Sequence, residues 1–195
     1  MAPERRQGRV TSVFSTKGGL GVTTVATNLA VCFAEAAPGR VLLVDLDMRQ
    51  SDVATFLNLR HPYSVLDAFE NISRMDQSFL QGLLSHHPTG LCVLPGPARI
   101  ERGKPSVEQV QTGLEILRSH FEHVVLDLPH DMDPGTIAAL ETSDEILFLV
   151  SLNVSALRSG AAGLAAFRHL GLDLRRVRLV VMREGTGEDV TLKHV

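Results

Sequence analysis

The segment from Val10 to Ala37 constrains the fold most, because it joins an apolar run to a glycine-rich turn and then to a helix-patterned stretch. The turn, FSTKGGLGVTT, carries three glycines in four residues, and apolar residues recur at helical spacing from Val22 onward. Closely spaced glycines let successive backbone N–H groups face one point, and a helix start adds unpaired N–H groups and a positive dipole end. The pattern predicts a strand, a phosphate-binding turn and a helix as one unit. A turn that holds no ligand is the alternative.

This turn departs from the standard phosphate-binding loop, G-x-x-x-x-G-K-[ST], at two positions. Thr16 stands where the first glycine belongs, and Val22 stands where the phosphate-binding lysine belongs. Thr23 keeps the hydroxyl that such loops offer to Mg²⁺. A lysine occurs early instead, at Lys17, in a chain with three lysines against sixteen arginines. The predicted phosphate-contacting residues are Thr16, Lys17, Gly18, Gly19, Leu20, Gly21, Val22, Thr23 and Thr24.

Two later apolar runs end in acidic residues. The run from 41 to 44 leads into Asp45 and Asp47, and the run from 123 to 126 ends in Asp127. Six apolar runs alternate with helical stretches, which predicts an α/β fold of three layers, a mostly parallel sheet wrapped by helices. Since carboxyl ends of parallel strands share one edge, the three acids should lie beside the glycine turn. For Asp45 and Asp47, a solvated aspartate turn remains the alternative.

Single polar residues in front of apolar runs predict where the remaining helices begin. Ser64 and Asp76 each precede an apolar run and are predicted to cap helices. His130, Asp131 and Asp133 follow Asp127 closely, and we interpret them as a solvated loop in which Asp133 caps the next helix, not as a metal cluster.

Composition limits the possible partners and compartments. We predict a flexible segment at residues 1–9 and one nucleotide-binding domain at 10–195. The net charge of −3 gives no overall attraction to nucleic acid or anionic lipid, so no specific nucleic-acid contact is predicted. Cys32 and Cys92 are predicted to be buried thiols in a reducing compartment. No apolar run approaches the ~20 residues that span a bilayer and no signal-peptide core is evident, so a cytoplasmic protein is predicted.

Several segments together resemble one family. KGGLGVTT resembles the deviant phosphate loop KGGxGK[ST]T of the ParA/MinD ATPases, and VLLVDLDMRQSDVATFL and FEHVVLDLP resemble that family's second acidic motif and its Walker B segment. The resemblance runs from about Val10 to the last residue. Loss of the second loop lysine, with SDVATFLNL, SVLDAFENISRMD and TGLCVLPGP, is similar to the pilus-assembly branch called CpaE or TadZ.

The resemblance implies a P-loop fold, ATP and Mg²⁺ as ligands, and an ATP-dependent homodimer. In it, Lys17 would reach across the dimer to the partner's nucleotide, and Asp47 would orient the attacking water. The implied metal site comprises Thr23, Asp45, Asp47 and Asp127. Arg183 would join the nucleotide site, while Met182 replaces an asparagine that reads adenine in relatives. Arg158 matches an arginine near the dimer face or is simply exposed, and the family's last strand and helix are expected to be missing.

For function, the resemblance implies a nucleotide-gated dimeric scaffold that positions pilus-assembly or other polar or membrane-associated proteins. Association with the inner membrane or a pole would be indirect. Weak or absent hydrolysis is expected because Val22 offers no positive charge to the γ-phosphate. The first alternative is a competent ATPase switch in partitioning or division-site placement. The second is an interaction module that has lost nucleotide binding.

Overall fold

The computed structural model describes residues 7–99 and 103–182, which contain seven strands and seven α-helices. The strands are β1 Arg9–Phe14, β2 Val41–Asp45, β3 Ser85–His86, β4 Cys92–Leu94, β5 His123–Asp127, β6 Glu145–Ser151 and β7 Val177–Met182. The helices are α1 Val22–Ala36, α2 Val53–Phe56, α3 Val65–Glu70, α4 Gln77–Leu83, α5 Val107–His120, α6 Pro134–Thr142 and α7 Val154–His169.

The strands form one sheet in the order β3-β4-β2-β5-β1-β6-β7. Every neighbouring pair is parallel except β3 with β4, so the predicted mostly parallel α/β fold is confirmed. All six apolar runs form strands. The seventh strand, β3, was not predicted, because two residues, Ser85 and His86, give no alternating pattern to detect.

Helices cover both faces of the sheet, which gives the predicted three layers. Helices α1 and α2 pack on one face, where Ala26 and Ala30 meet Leu43 and Val125 of the strands. Helices α3 to α7 contribute to the core on the other face, where Phe69, Leu114 and Phe167 are fully buried or nearly so. Because both faces are covered, β2 is buried along its whole length, as a continuous apolar run requires.

Polar residues begin the helices at the predicted positions. Ser64 caps α3 in a capping box with Asp67, and Asp76 accepts the N–H of Phe79 at the start of α4. Asp133 accepts the N–H of Thr136 and is followed by a first-turn proline in α6. The three predicted N-caps are confirmed.

Other predictions differ from the structure. Cys32 is exposed, since it lies on the outer side of α1, whereas Cys92 is buried as predicted. The predicted flexible segment 1–9 included Gly8 and Arg9, but Arg9 begins β1 and the Gly8 N–H donates to the Arg118 carbonyl at 2.7 Å. Arg183 and the predicted helix start at 188–195 lie outside the described residues. Within the described ranges, no helix is both long and apolar enough to cross a bilayer.

Gly113 in α5 is required by its neighbour, and its replacement by alanine is expected to destabilise the protein. An added Cβ would lie 2.4 Å from Cε1 and 2.6 Å from Cδ1 of Phe69, a ring that is 1% exposed. We expect Gly113→Ala to lower the free energy of unfolding by about 1–3 kcal/mol, measured by urea denaturation. The matched control is Gly82→Ala in α4, where no atom lies within 4 Å of the added Cβ. The free energy of unfolding of Gly82→Ala should rise by about 0.5–1 kcal/mol. If both variants changed stability by the same amount, the contact with Phe69 would not be the cause.

Candidate functional site

The glycine turn connects β1 to α1 at the carboxyl edge of the sheet. Gly19 and Gly21 have φ values of 76° and 89°, a region that favours glycine. Gly21 is the N-cap of α1, and no side chain among the described residues makes the capping hydrogen bond. Gly18 and Gly19 are exposed. The turn therefore presents an uncapped helix start to solvent, the backbone arrangement that favours an anion.

Helix α7 supports this turn from one side. Ser159 Oγ donates to Thr16 Oγ1 at 3.1 Å, and a Cβ added to Gly163 would lie 2.6 Å from Thr16 Cγ2. Lys17 Nζ donates to Ser155 Oγ at 3.1 Å. In this single chain, Lys17 therefore lies on the first turn of its own α7.

Val22 packs into the core where the standard loop has a lysine. It is half-buried against the same apolar cluster as Met182, whose Cε would lie 3.6 Å from a Cβ added to Gly21. Leu20 is also buried, at 7% exposure. Apolar side chains thus pack against the side of the turn that faces the protein interior. They supply no charge to a ligand above it.

Two carboxylates meet on neighbouring strands. Asp45 of β2 and Asp127 of β5 are register partners, and Asp127 pairs in turn with Val13 of β1. Asp45 is fully buried and accepts hydrogen bonds from Ser51 Oγ at 2.8 Å and the Asp47 N–H at 3.0 Å. Asp127 is 1% exposed, and its Oδ2 has no hydrogen-bond partner among the residues that the structure describes. An unsatisfied, buried carboxylate oxygen is costly unless a cation joins it.

The pKa values of this pair are raised. Burial raises the pKa of Asp45 from 3.8 to about 7, and the hydrogen bonds from Ser51 and from the Asp47 and Val53 backbones oppose the rise. Burial also raises the pKa of Asp127 well above 3.8, the negative charge of Asp45 adds to it, and the Thr23 hydroxyl opposes it. The pair therefore strongly disfavours two negative charges without a cation.

Asp47 is half-buried beyond the end of β2, and its Oδ1 accepts the N–H groups of Arg49 and Gln50, each at 3.0 Å. Arg49 forms an ion pair with Asp131, which joins the loop after β2 to the loop after β5. Asp47 also lines a cavity of about 250 Å³ between these loops and the start of α5. The carboxylate is thus held at the rim of an open space.

The structure brings the predicted site residues together in part. The turn, Asp45 and Asp127 lie at the carboxyl ends of the adjacent strands β1, β2 and β5, with Thr23 beside Asp127. Lys17 points to α7, and Arg158 is exposed on that helix. Sequence reasoning missed the contacts of Ser155 and Ser159 with the turn, because a helix far along the chain carries them. His130 is exposed, as predicted for a solvated loop, but its proximity to Gly18 was not predicted.

The side chains alone do not form a complete metal site. No group of three or more His, Cys, Asp or Glu side chains in residues 7–99 and 103–182 is arranged to hold an ion. Mg²⁺ usually takes one or two carboxylates and completes its octahedron with water and phosphate oxygens. Asp45, Asp127 and the Thr23 hydroxyl fit that partial set.

Comparisons with known proteins agree with this architecture. A family model described as an AAA domain matches residues 8–170. The septum site-determining protein MinD of Synechocystis sp. is 26% identical over 181 residues, which cover 90% of this chain and 64% of that relative. The chain therefore spans less than two thirds of that relative's length.

Solved structures share the fold. A ParA family ATPase from Chlorobium tepidum TLS superposes with a TM-score of 0.87 at 24% identity, over 94% of this chain and 76% of that one. The septum site-determining protein MinD from Pyrococcus horikoshii OT3, complexed with Mg-ADP, gives a TM-score of 0.78 at 20% identity, over 96% and 75%.

The parallel sheet and the glycine turn define a P-loop nucleotide-binding fold. The chain belongs to the AAA domain family, and it is similar in sequence to MinD and in fold to ParA and MinD proteins. The predicted family is confirmed at this level. These relatives are septum-site and ParA proteins, so they do not support the narrower prediction of the CpaE/TadZ pilus-assembly branch.

Proposed function

We propose that this chain is an MgATP-binding switch that self-associates when it holds ATP and hydrolyses ATP slowly. The observation that carries the proposal is the buried Oδ2 of Asp127, which has no hydrogen-bond partner in residues 7–99 and 103–182. It lies beside a second carboxylate and next to a glycine-rich helix start that no side chain in those ranges caps. A divalent cation would relieve the acids, and the backbone amides would hold the phosphates that come with it.

The proposed roles follow from position. The turn from Thr16 to Thr24 would contact the phosphates, and Thr23, Asp45, Asp47 and Asp127 would hold Mg²⁺ directly or through water. When bound, MgATP would supply the triphosphate and the Mg²⁺ ion that neutralises part of its negative charge. Asp47, fixed through its Oδ1 by two backbone N–H groups, is the candidate to orient an attacking water. Arg183 remains a proposed nucleotide contact.

Slow turnover is proposed because of Val22. Phosphoryl transfer depends on positive charge around the γ-phosphate, and Val22 faces the core instead of supplying one. Loss of one such electrostatic contact commonly costs ~10²–10³ in rate. Valine in place of lysine at position 22 removes neither the backbone amides of the turn nor the acids that would hold Mg²⁺. Binding can therefore persist when hydrolysis is weak.

Self-association is proposed to use Lys17. Its ammonium group donates an exposed hydrogen bond to Ser155 Oγ. Such a bond is weak, so a negatively charged ligand can replace Ser155 as the acceptor. In the ATP-bound dimer, Lys17 would leave Ser155 and contact the phosphates held by the partner subunit. That exchange would tie dimer formation to the presence of ATP.

Among cellular roles, we propose placement of a division site or a partitioned cargo, because relatives of this chain carry septum-site and ParA names. The chain would act from the cytoplasm and reach the membrane or a pole through a protein partner. A pilus-assembly scaffold is the second candidate. Val22 favours it, since a scaffold needs ATP binding and not rapid turnover.

Lys17→Ala is expected to bind MgATP but to remain monomeric. The parent protein should double its mass when MgATP is added, as read by light scattering, and should release phosphate slowly. Lys17→Ala removes the group that would cross to the partner, while the turn's amides still hold the nucleotide. Its mass should stay that of a monomer at saturating MgATP.

The matched control is Arg175→Ala, which removes one positive charge from a side chain that is 90% exposed at the opposite edge of the sheet. It should dimerise like the parent. Dimerisation of Lys17→Ala at parental affinity would refute the role of Lys17. A parent protein with no thermal shift in MgATP would instead select the nucleotide-free alternative.

A further inference from the structure

The loop after β5 places an imidazole ring against the glycine turn. A Cβ added to Gly18 would lie 3.8 Å from Nδ1 of His130 and 3.9 Å from its Cγ and Cε1. The ring is thus separated from the turn's backbone by about the thickness of one methyl group. Both His130 and Gly18 are exposed, so the gap between them opens to solvent.

Three basic side chains on the turn and the neighbouring loops are already engaged by residues that the structure describes. Lys17 donates to Ser155, Arg49 pairs with Asp131, and Lys104 pairs with Asp133. His130 makes no hydrogen bond or ion pair with any residue in the part of the chain that the structure describes. Its ring nitrogens are therefore available to an added ligand.

The position of His130 is set by rigid neighbours. Asp127 ends β5 in register with Asp45, and the Leu128 N–H donates to the Val13 carbonyl at 3.2 Å, which ties this loop to β1. Pro129 then restricts the backbone directly before His130. The loop therefore holds the imidazole at the turn without needing a contact from its own nitrogens.

We infer that His130 binds a phosphate group of the nucleotide and supplies part of the contact that Val22 cannot make. Imidazole N–H groups donate well to phosphate oxygens, and a protonated ring adds charge. The inference rests on the proposed MgATP site and adds a ligand residue to it. Because Gly18 and His130 are both exposed, a phosphate on the solvent side of the turn can approach the ring nitrogens.

The test compares MgATP binding by the parent, His130→Ala and His130→Gln, measured by isothermal titration calorimetry. Hydrogen bonds to charged groups commonly contribute enough that His130→Ala should bind MgATP about tenfold to a hundredfold more weakly. His130→Gln keeps an N–H donor and should bind with intermediate affinity. The urea midpoint of the nucleotide-free variants should match the parent, because the exposed ring makes no internal hydrogen bond within the described ranges.

The matched control is His169→Ala, which removes an exposed histidine from the end of α7. It should bind MgATP as the parent does. If the parent binds MgATP and His130→Ala binds it within twofold of the parent, the inference fails while the proposed function stands. If His130→Ala loses stability as well as affinity, a structural role replaces the inferred one. If the parent binds no MgATP, both are overturned.

Discussion

Asp127→Asn is expected to make the nucleotide-free protein more stable at pH 8 and to remove its stabilisation by MgATP. Asp127 is buried beside Asp45, and its Oδ2 has no partner within the described ranges. A neutral amide removes the repulsion between the two acids. Because a buried charge without a partner costs at least roughly 1–3 kcal/mol, we expect removal of that charge to give a gain of that order. The same change removes a negative oxygen that Mg²⁺ needs, so the thermal shift with MgATP should disappear.

The gain in stability of Asp127→Asn over the parent should increase with pH. A carboxyl group whose folded-state pKa is raised keeps its proton to a higher pH than the unfolded chain does. The folded state then binds more protons between pH 3.8 and the raised pKa, so the parent loses stability as the pH rises through that range. For Asp45 the range ends at about 7. The advantage of Asp127→Asn should therefore be small at pH 4 and larger at pH 8.

Urea denaturation at pH 4 and pH 8, with and without MgATP, measures both effects. The control is Asp144→Asn at the opposite edge of the sheet. Asp144 accepts hydrogen bonds from the Val10 N–H at 2.8 Å and from Arg118 at 3.0 Å. That variant should lose stability and keep its response to MgATP. An Asp127→Asn protein that is less stable than the parent at pH 8, or still shifts with MgATP, would contradict the site.

Val22→Lys is expected to raise the rate of ATP hydrolysis by about 10²–10³-fold, because it returns a cation to the phosphate loop. Val22 is half-buried at the start of α1, next to solvent-exposed Thr24. A lysine can lay its methylene stem over the apolar cluster and keep its ammonium group in water. We therefore expect a loss of stability below about 1.5 kcal/mol, which is typical of tolerated changes in packing.

Phosphate release at saturating MgATP measures this effect. Val22→Met is the matched control, since it has a long unbranched side chain without the charge, and it should hydrolyse ATP at the parental rate. Equal acceleration by lysine and methionine would mean that flexibility of the turn, not charge, limits the reaction. A Val22→Lys protein that binds ATP without faster hydrolysis would show that another group limits turnover.

The sequence predicts features that depend on a short stretch of chain or on a repeating pattern of apolar residues. Apolar runs such as 41–44 and 123–126 mark buried strands, and polar residues such as Ser64 and Asp133 mark helix starts, because each depends on neighbours within a few positions. The placement of Asp45 beside Asp127 also followed, since parallel strands deliver their ends to one edge.

The remaining features depend on contacts between distant segments. No local pattern tells which face of α1 carries Cys32 when alanines recur along that helix, so its exposure was predicted wrongly. The contacts of Lys17 with Ser155 and of Gly18 with His130 join residues more than a hundred positions apart. Which of these side chains contact a nucleotide stays a prediction, and the variants of Lys17 and His130 test it.

The packing of Thr16 on Gly163 has a consequence for how this loop can vary. The standard loop has its first glycine at position 16, and here the residue without a side chain is found instead on the facing helix. A Cβ at position 163 would also lie 2.9 Å from Cζ of the fully buried Phe148, so a glycine at position 16 alone would not make room for a side chain on the helix. Sequences descended from this one should therefore keep glycine at position 163 while a large ring occupies position 148, whichever residue stands at position 16.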